Sequence, residues 1–445
     1  MSDQIKGILD SVLNQVQEHG AQGDVIVMSE SELGLKANAG ELSEYKVTSS
    51  LTVGVRVVVG DQIGTSYSES TQPNDLKKMV GAAIENAGYA KHNPHEKIRA
   101  EAQSVSDWSS EICQDDDTAQ QRKIDLALSL ESGLADREVE AKAPYNAFNE
   151  VKYTVDFGNT LGHRCVHRER SFSCYTYALL EHEDKQSMHL GYQVGRRFSD
   201  LSADACVIEA YETALALLEG QPVGSGQYDI IFNAECFNQL FSAFGMCWSG
   251  VSAMKALNPY RNSIGEVIAH PDFTLRDLPY IEGGFAVKGF DGEGFASRET
   301  TIVANGQLES LLHNSTTASH FGVENTANAA RGTKSALSVS SSHLVISAGK
   351  HSAAETHGGT YLELISLQGV HSGANAVSGD FSLGASGFLC RDGKRVQPVR
   401  GVTVAGNFYD MLKNIVAISD QVSPDHGHTF FAPHVRFNGL NVAGG

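Results

Sequence analysis

Apolar residues at Ile5, Ile8, Leu9, Val12, Leu13 and Val16 recur at helical spacing behind Ser2 and Asp3, whose side chains can cap free backbone amides. This spacing predicts an amphipathic helix over residues 3–19. From residue 24 to 68 the pattern turns short and β-branched, with turns at Ala39-Gly40 and Gly60-Asp61, which predicts an antiparallel meander. Pro73, whose fixed φ suits a first helical turn, then opens a helix striped by Leu76, Met79, Val80, Ala83 and Ala87 and ending near Gly88. After a helix over residues 120–135 the order recurs, with strands across residues 149–197 and a helix over 202–220. Residues 24–90 and 146–220 therefore read as two copies of one meander-plus-helix unit.

Beyond Gln221-Pro222-Val223-Gly224 the texture changes to Gly-, Ser- and Asn-rich turns between short apolar strands. A boundary falls there, giving an α+β fold with an N-terminal α+β domain (1–220) and a β-rich C-terminal domain with few helices (221–445). One helix interrupts the second domain, where Phe237, Leu240, Phe241, Phe244 and Trp248 make a single apolar face within residues 235–248.

The 445 residues are 41% hydrophobic and 20% charged, a globular balance with room for two or three cores. A net charge of -19 opposes unassisted binding to nucleic acid or anionic lipid, so soluble partners are favoured. No apolar run is long enough for a membrane span, and the first residues lack the basic start and apolar stretch of a signal peptide, so the chain is expected in the cytoplasm. Cys113, Cys165, Cys174, Cys206, Cys236, Cys247 and Cys390 are scattered and form no C-x-x-C pair, which predicts free thiols.

Candidate chemistry is sparse. Zinc hydrolases place two imidazoles on one helix face beside a carboxylate. After His95-Glu96 the second histidine positions hold Arg99 and Ala100, and after His182-Glu183 they hold Gln186 and Ser187, so neither pair forms such a site. His163, Cys165 and His167 alternate along a predicted strand and could share a metal-compatible face, although alternating residues of this kind ordinarily pack or face water. His351 and His357 with His343, and His426-Gly427-His428, lie in turn-like surroundings where solvated loop histidines are the default. The acids Asp115, Asp116 and Asp117 fall in a polar stretch, residues 91–118, that reads as a linker and helix start. Asp291-Gly292-Glu293-Gly294 sets two carboxylates among glycines, suited either to a turn or to contact with a closely approaching substrate backbone. No G-x-S-x-G elbow or phosphate-binding glycine loop occurs, and the Gly-Val-His-Ser-Gly run at 369–373 is one position out of register for the elbow.

Three stretches carry a resemblance that spans essentially the whole chain. They are GDVIVMSESELGLKANAGELSEYKVTSSLTVGVRVVVGDQIGTSYS, the segment GFDGEGFASRETTIVANGQLESLLHNSTTASHFG, and the end ASGFLCRDGKRVQPVRGVTVAGNFYDMLKNIVAISDQV with VRFNGLNVAGG. Together they resemble the TldD/PmbA family. Within it, TldD-like chains carry zinc through an HExxxH helix and a cysteine near the C-terminus, whereas the TldE/PmbA branch lacks those ligands. Residues 235–248 occupy the place of the metal-binding helix, yet no histidine lies between His189 and His270 and no cysteine follows Cys390, so ligands and general base both read as absent.

The resemblance thus implies a non-catalytic TldE/PmbA-type subunit, inactive alone and without a cofactor, paired with a zinc-bearing TldD-like chain. Such a complex degrades or trims unfolded peptides, including microcin-type maturation and antitoxin removal. Asp291, Glu293 and Gly294 are the substrate-groove candidates. The alternative is a stand-alone homodimeric β-rich peptide-binding or scaffold protein. An older family label, modulator of DNA gyrase, fits poorly with direct DNA binding by so acidic a chain.

Overall fold

The computed structural model describes residues 3–100, 104–135 and 137–444. The N-terminal elements run α1 (Asp3–Glu18), β1 (Gln22–Asn38), β2 (Glu41–Val59), β3 (Gln62–Ser68), α2 (Pro73–Tyr89), α3 (Ser109–Ile112), α4 (Gln120–Ser132), β4 (Ala141–Lys142), β5 (Asn146–Asn159), β6 (Arg164–His182), β7 (Lys185–Gly195) and α5 (Ala203–Leu218). Ser2, the second proposed cap of α1, lies outside the described residues, as do 101–103 of the polar stretch.

One sheet holds all seven of these strands. Its hairpin neighbours β3, β2 and β1 meet β5, β6 and β7 at an antiparallel β1–β5 seam that runs from Asp24 opposite Asn159 to Leu35 opposite Phe148. β1 is buried on both faces near its start, which explains its unbroken apolar run. Val25 and Val27 pack on α1 and α2, while Ile26 meets Phe157 and Phe290 on the other face, Phe290 coming from the C-terminal region. The polar stretch 91–118 contains the unforeseen helix α3, and it is more than a solvated linker: the Asp116 carboxylate accepts from the Phe198 amide at 3.0 Å.

The C-terminal elements are β8 (Gly226–Phe232), α6 (Ala234–Ala243), α7 (Gly250–Met254), β9 (Leu275–Leu278), β10 (Thr300–Ala304), β11 (Gln307–Leu308), α8 (Ser315–Phe321), β12 (Ala329–Ala330), β13 (Ser338–Val339), β14 (His343–Ile346), α9 (Ala353–Thr356), β15 (Thr360–Gln368), α10 (Val370–Gly373), β16 (Asp380–Arg391), β17 (Lys394–Asn407), α11 (Phe408–Lys413), β18 (Ile415–Pro424) and β19 (Phe430–Ala443). Strands β8, β15, β16, β17 and β19 pair in sequence, and β19 also pairs with β8, so the ring closes and removes those edges. The fold is α+β with a large sheet-rich C-terminal region. Its core gathers Phe237 and Phe241 from α6 and Phe244 just after it against Phe273, Phe408 and Phe430. The predicted helix over 235–248 is α6 followed by a tighter 3-10 turn at Gly245–Trp248, and Asn233 caps it by accepting from the Cys236 amide.

Candidate functional site

Two polar constellations sit where the N-terminal sheet meets the C-terminal region. The first begins with a cross-strand pair, since the β1–β2 register sets Asp24 directly opposite Arg56 on the face away from α1 and α2. Arg56 donates through Nε to Asp24 Oδ2 at 2.9 Å and through Nη1 to Glu293 Oε1 at 3.0 Å, and Arg331 forms a second ion pair with Asp24. The Ser315 amide and hydroxyl complete the Glu293 carboxylate at 2.8 and 2.7 Å. Burial would lower the Arg56 pKa, but the two carboxylates outweigh it and hold it above its ordinary value. At Arg331 burial instead prevails, and the pKa is lowered.

Asp291 serves the same junction differently. Its Oδ1 accepts from the amides of Glu293 and Phe295, and its Oδ2 from the amide of Ala329, at 2.9 to 3.0 Å. Burial, with Glu293 nearby, pushes its pKa up to about 7. Gly294 has φ +83°, and an added Cβ would lie 2.3 Å from the Phe157 ring, so glycine is required there. Its carbonyl accepts from His163 Nε2 at 2.8 Å. The structure therefore brings Asp291, Glu293 and Gly294 together, with both carboxylates buried and engaged. Asp291 also borders a cavity of about 340 Å³ lined by Tyr153, His167, Phe285 and Lys288.

The second constellation lies on the outward side of α6. Asn238 donates to Asp425 Oδ2 at 2.8 Å, and Gln239 donates to Glu235 Oε1 at 3.3 Å. His426 stands between two carboxylates, with Nε2 3.4 Å from Glu209 of α5 and Nδ1 3.6 Å from Glu235. The hydrogen bond that His426 donates to Glu209 raises its pKa above the ordinary value against the effect of burial, and Glu235 adds to the rise. His426 is thus a clasp between the two halves of the chain, not a solvated loop histidine. Cavities of about 360 and 600 Å³ flank this side of α6 and share Asn238 and Ser242. Ser340 and Thr429 line the first, Gly369 and His371 the second.

The other histidines are dispersed. His163 reaches Gly294, His167 faces Glu169 at 3.3 Å and Cys165 packs near Phe157, so the three do not converge on one point. His343 donates to the Leu278 carbonyl and accepts from the Ala286 amide, and burial pushes its pKa down to about 4. His357 bonds His434, and His428 bonds the Gly283 carbonyl.

The sequence reading passed over Glu235, Glu209, Asp24, Arg56 and Arg331. A carboxylate is in fact present on α6. With Glu235 in the acidic place of an HExxxH motif, the imidazole places fall on Ala234 and Gln239. Alanine has no ligating atom, and the Gln239 amide is already turned to Glu235. These residues do not fit a zinc site of that kind, and no group of three or more His, Cys, Asp and Glu residues among those described is arranged to hold a metal ion.

Family models for PmbA/TldA metallopeptidase domain 1, central domain and C-terminal domain match residues 23–87, 114–218 and 225–444. A metalloprotease PmbA homolog from Haemophilus influenzae is 25% identical over 431 residues, covering 96% of this chain and 93% of that protein. Among solved structures, a Thermotoga maritima protein named as a candidate modulator of a DNA gyrase superposes with a TM-score of 0.88 at 24% identity, covering 99% of this chain and 100% of that one. TldE from Thermococcus kodakarensis gives 0.86 at 18% identity, covering 99% and 100%. At these identities the structures establish the fold alone.

Proposed function

The chain belongs to the PmbA/TldD metallopeptidase family, and from that premise we propose that it is the non-catalytic, TldE/PmbA-type partner of a zinc-bearing TldD-like chain acting on unfolded peptides. The outward side of α6 carries this reading. Where the catalytic branch needs two imidazoles, this helix offers Ala234 and Gln239, and its carboxylate Glu235 is tied to His426. Division of labour accounts for that loss alongside an intact junction built on Asp291, Glu293 and Gly294.

On this reading the partner's zinc polarises water and the scissile carbonyl, and this chain holds an extended peptide and excludes bulk water. The cavities flanking α6 supply the groove, where polar groups at Asn238, Ser242 and Ser340 suit backbone recognition that tolerates many sequences. Glu293 and Gly294 anchor the C-terminal region to the N-terminal sheet through Arg56 and His163, and Asp291 holds the turn that carries them. We also read residues 24–90 and 146–220 as two copies of one unit joined at the β1–β5 seam.

Metal content tests the proposal. Mixed with a TldD-like chain from the same cell, the protein should co-purify as a complex holding about one zinc ion, all of it on the partner. About one tightly held zinc per chain in this protein alone would overturn the reading.

A further inference from the structure

Strand alternation sets Tyr153 and Val155 of β5 on one face of the N-terminal sheet with His167 and Glu169 of β6, because Tyr153 lies opposite Glu169 and Val155 opposite His167. Ile26 of β1 joins them as the floor of the cavity of about 340 Å³, and residues 285–288, 290–292 and 329–331 face that floor from the C-terminal region. Ile26, Val155, Phe285, Val287 and Phe290 make much of the lining apolar, and the cavity meets the one beside α6 only at Ser340. Its charged groups are unevenly satisfied. Asp291 already accepts from three backbone amides, and Glu169 is held by Arg196 at 2.6 Å and met by His167 at 3.3 Å. The cations keep donors to spare. Lys288 donates to Ser340 Oγ at 3.0 Å and to the Ser341 carbonyl at 2.6 Å, two of the three bonds an ammonium can make. Arg331, its side chain 3% exposed, shares Asp24 with Arg56, and its Nη2 has no hydrogen-bond partner among the described residues. A buried guanidinium short of acceptors is costly, and an anion in the cavity supplies what it lacks.

We propose that this cavity is a ligand site for a small organic monocarboxylate with an apolar body, its carboxylate drawn to the free donors of Arg331 and Lys288 and its body packed on Ile26, Val155 and Phe290. The volume lies at the lower end of the range for small-molecule sites, which suits a free acid better than a length of peptide. The apolar lining disfavours a fully hydrated inorganic anion, and the carboxylates of Asp291 and Glu169 repel a second negative charge on the ligand. Burial lowers the pKa of both cations, and a neighbouring anion acts against that. The inference does not rest on the proposed peptidase role.

Equilibrium dialysis of the full chain against phenylacetate tests it. Phenylacetate should bind at one site with a dissociation constant of about 1 mM or tighter. Phenylacetamide, of nearly the same shape but without the charge, should bind about tenfold more weakly, and inorganic phosphate should not displace the acid. Lys288→Met and Arg331→Met should each weaken phenylacetate by about tenfold. Val155→Phe, which fills the cavity from its floor, should abolish binding. Arg331 also supports Asp24, so the melting temperature of each variant checks its fold, and Lys288→Met with Val155→Phe carries the test if Arg331→Met does not fold. Equal affinity for acid and amide, displacement by phosphate, binding untouched by Val155→Phe, or no uptake of phenylacetate by the wild-type protein would overturn the proposal.

Discussion

At the scale of single residues, the junction depends on groups with no substitute. Glu293 is one of two carboxylates on the buried Arg56 guanidinium and also accepts from the Ser315 amide and hydroxyl. Glu293→Ala leaves a buried cation half-paired and should lower the unfolding free energy by about 3 to 5 kcal/mol, read from chemical denaturation. Gly294→Ala forces a Cβ against the Phe157 ring in a left-handed backbone conformation, with an expected loss of about 1 to 3 kcal/mol in the same experiment. The glycine-flanked acids were visible in the sequence, but their partners were not. Arg56 left a signal in being the one charge inside the run VGVRVVV, because a charge held in a doubly buried strand needs a carboxylate. That the carboxylates are Asp24 and Glu293 depends on register and on a contact 237 positions away, neither of which local pattern encodes.

At the scale of elements, periodicity served well wherever burial is one-sided. The stripes of α1, α2 and α6 became core faces because each helix lies on a sheet with its polar side to solvent. The sequence reading of α6 stopped at that apolar stripe. Its outward side, where Glu235 meets His426, is written in ordinary polar residues that gain meaning only when α5 and the turn before β19 arrive beside them. Phe241 lies at the centre of the stripe, fully buried against Phe237, Trp248, Phe273, Phe408 and Phe430. Phe241→Ala should therefore cost about 3 to 5 kcal/mol, and a shift of the denaturation midpoint without a change of slope would assign the loss to the cavity.

At the scale of the whole molecule, His426 ties the two halves together, and its charge state makes that tie depend on pH. The imidazole faces Glu209 from α5, Glu235 from α6, and Asp425 and His189 nearby. Its folded pKa lies above the ordinary value of 6.5, so its stabilising contribution is complete below pH 6.5 and is lost as pH rises through the folded pKa. His189, lowered chiefly by burial, acts in the opposite sense, so the clasp is read from the difference between wild type and His426→Gln. That difference in melting temperature should be largest at about pH 6 and vanish on the alkaline side. The clasp and the groove beside it bear on what the chain does only if the partner brings the metal, and peptide cleavage tests this directly. Unfolded peptide is offered to this chain alone, to the TldD-like chain alone, to both, and to both with chelator. The account predicts turnover only with both chains present and its loss on chelation. Chelator-sensitive turnover by this chain alone, at a rate unchanged by adding the partner, would contradict it.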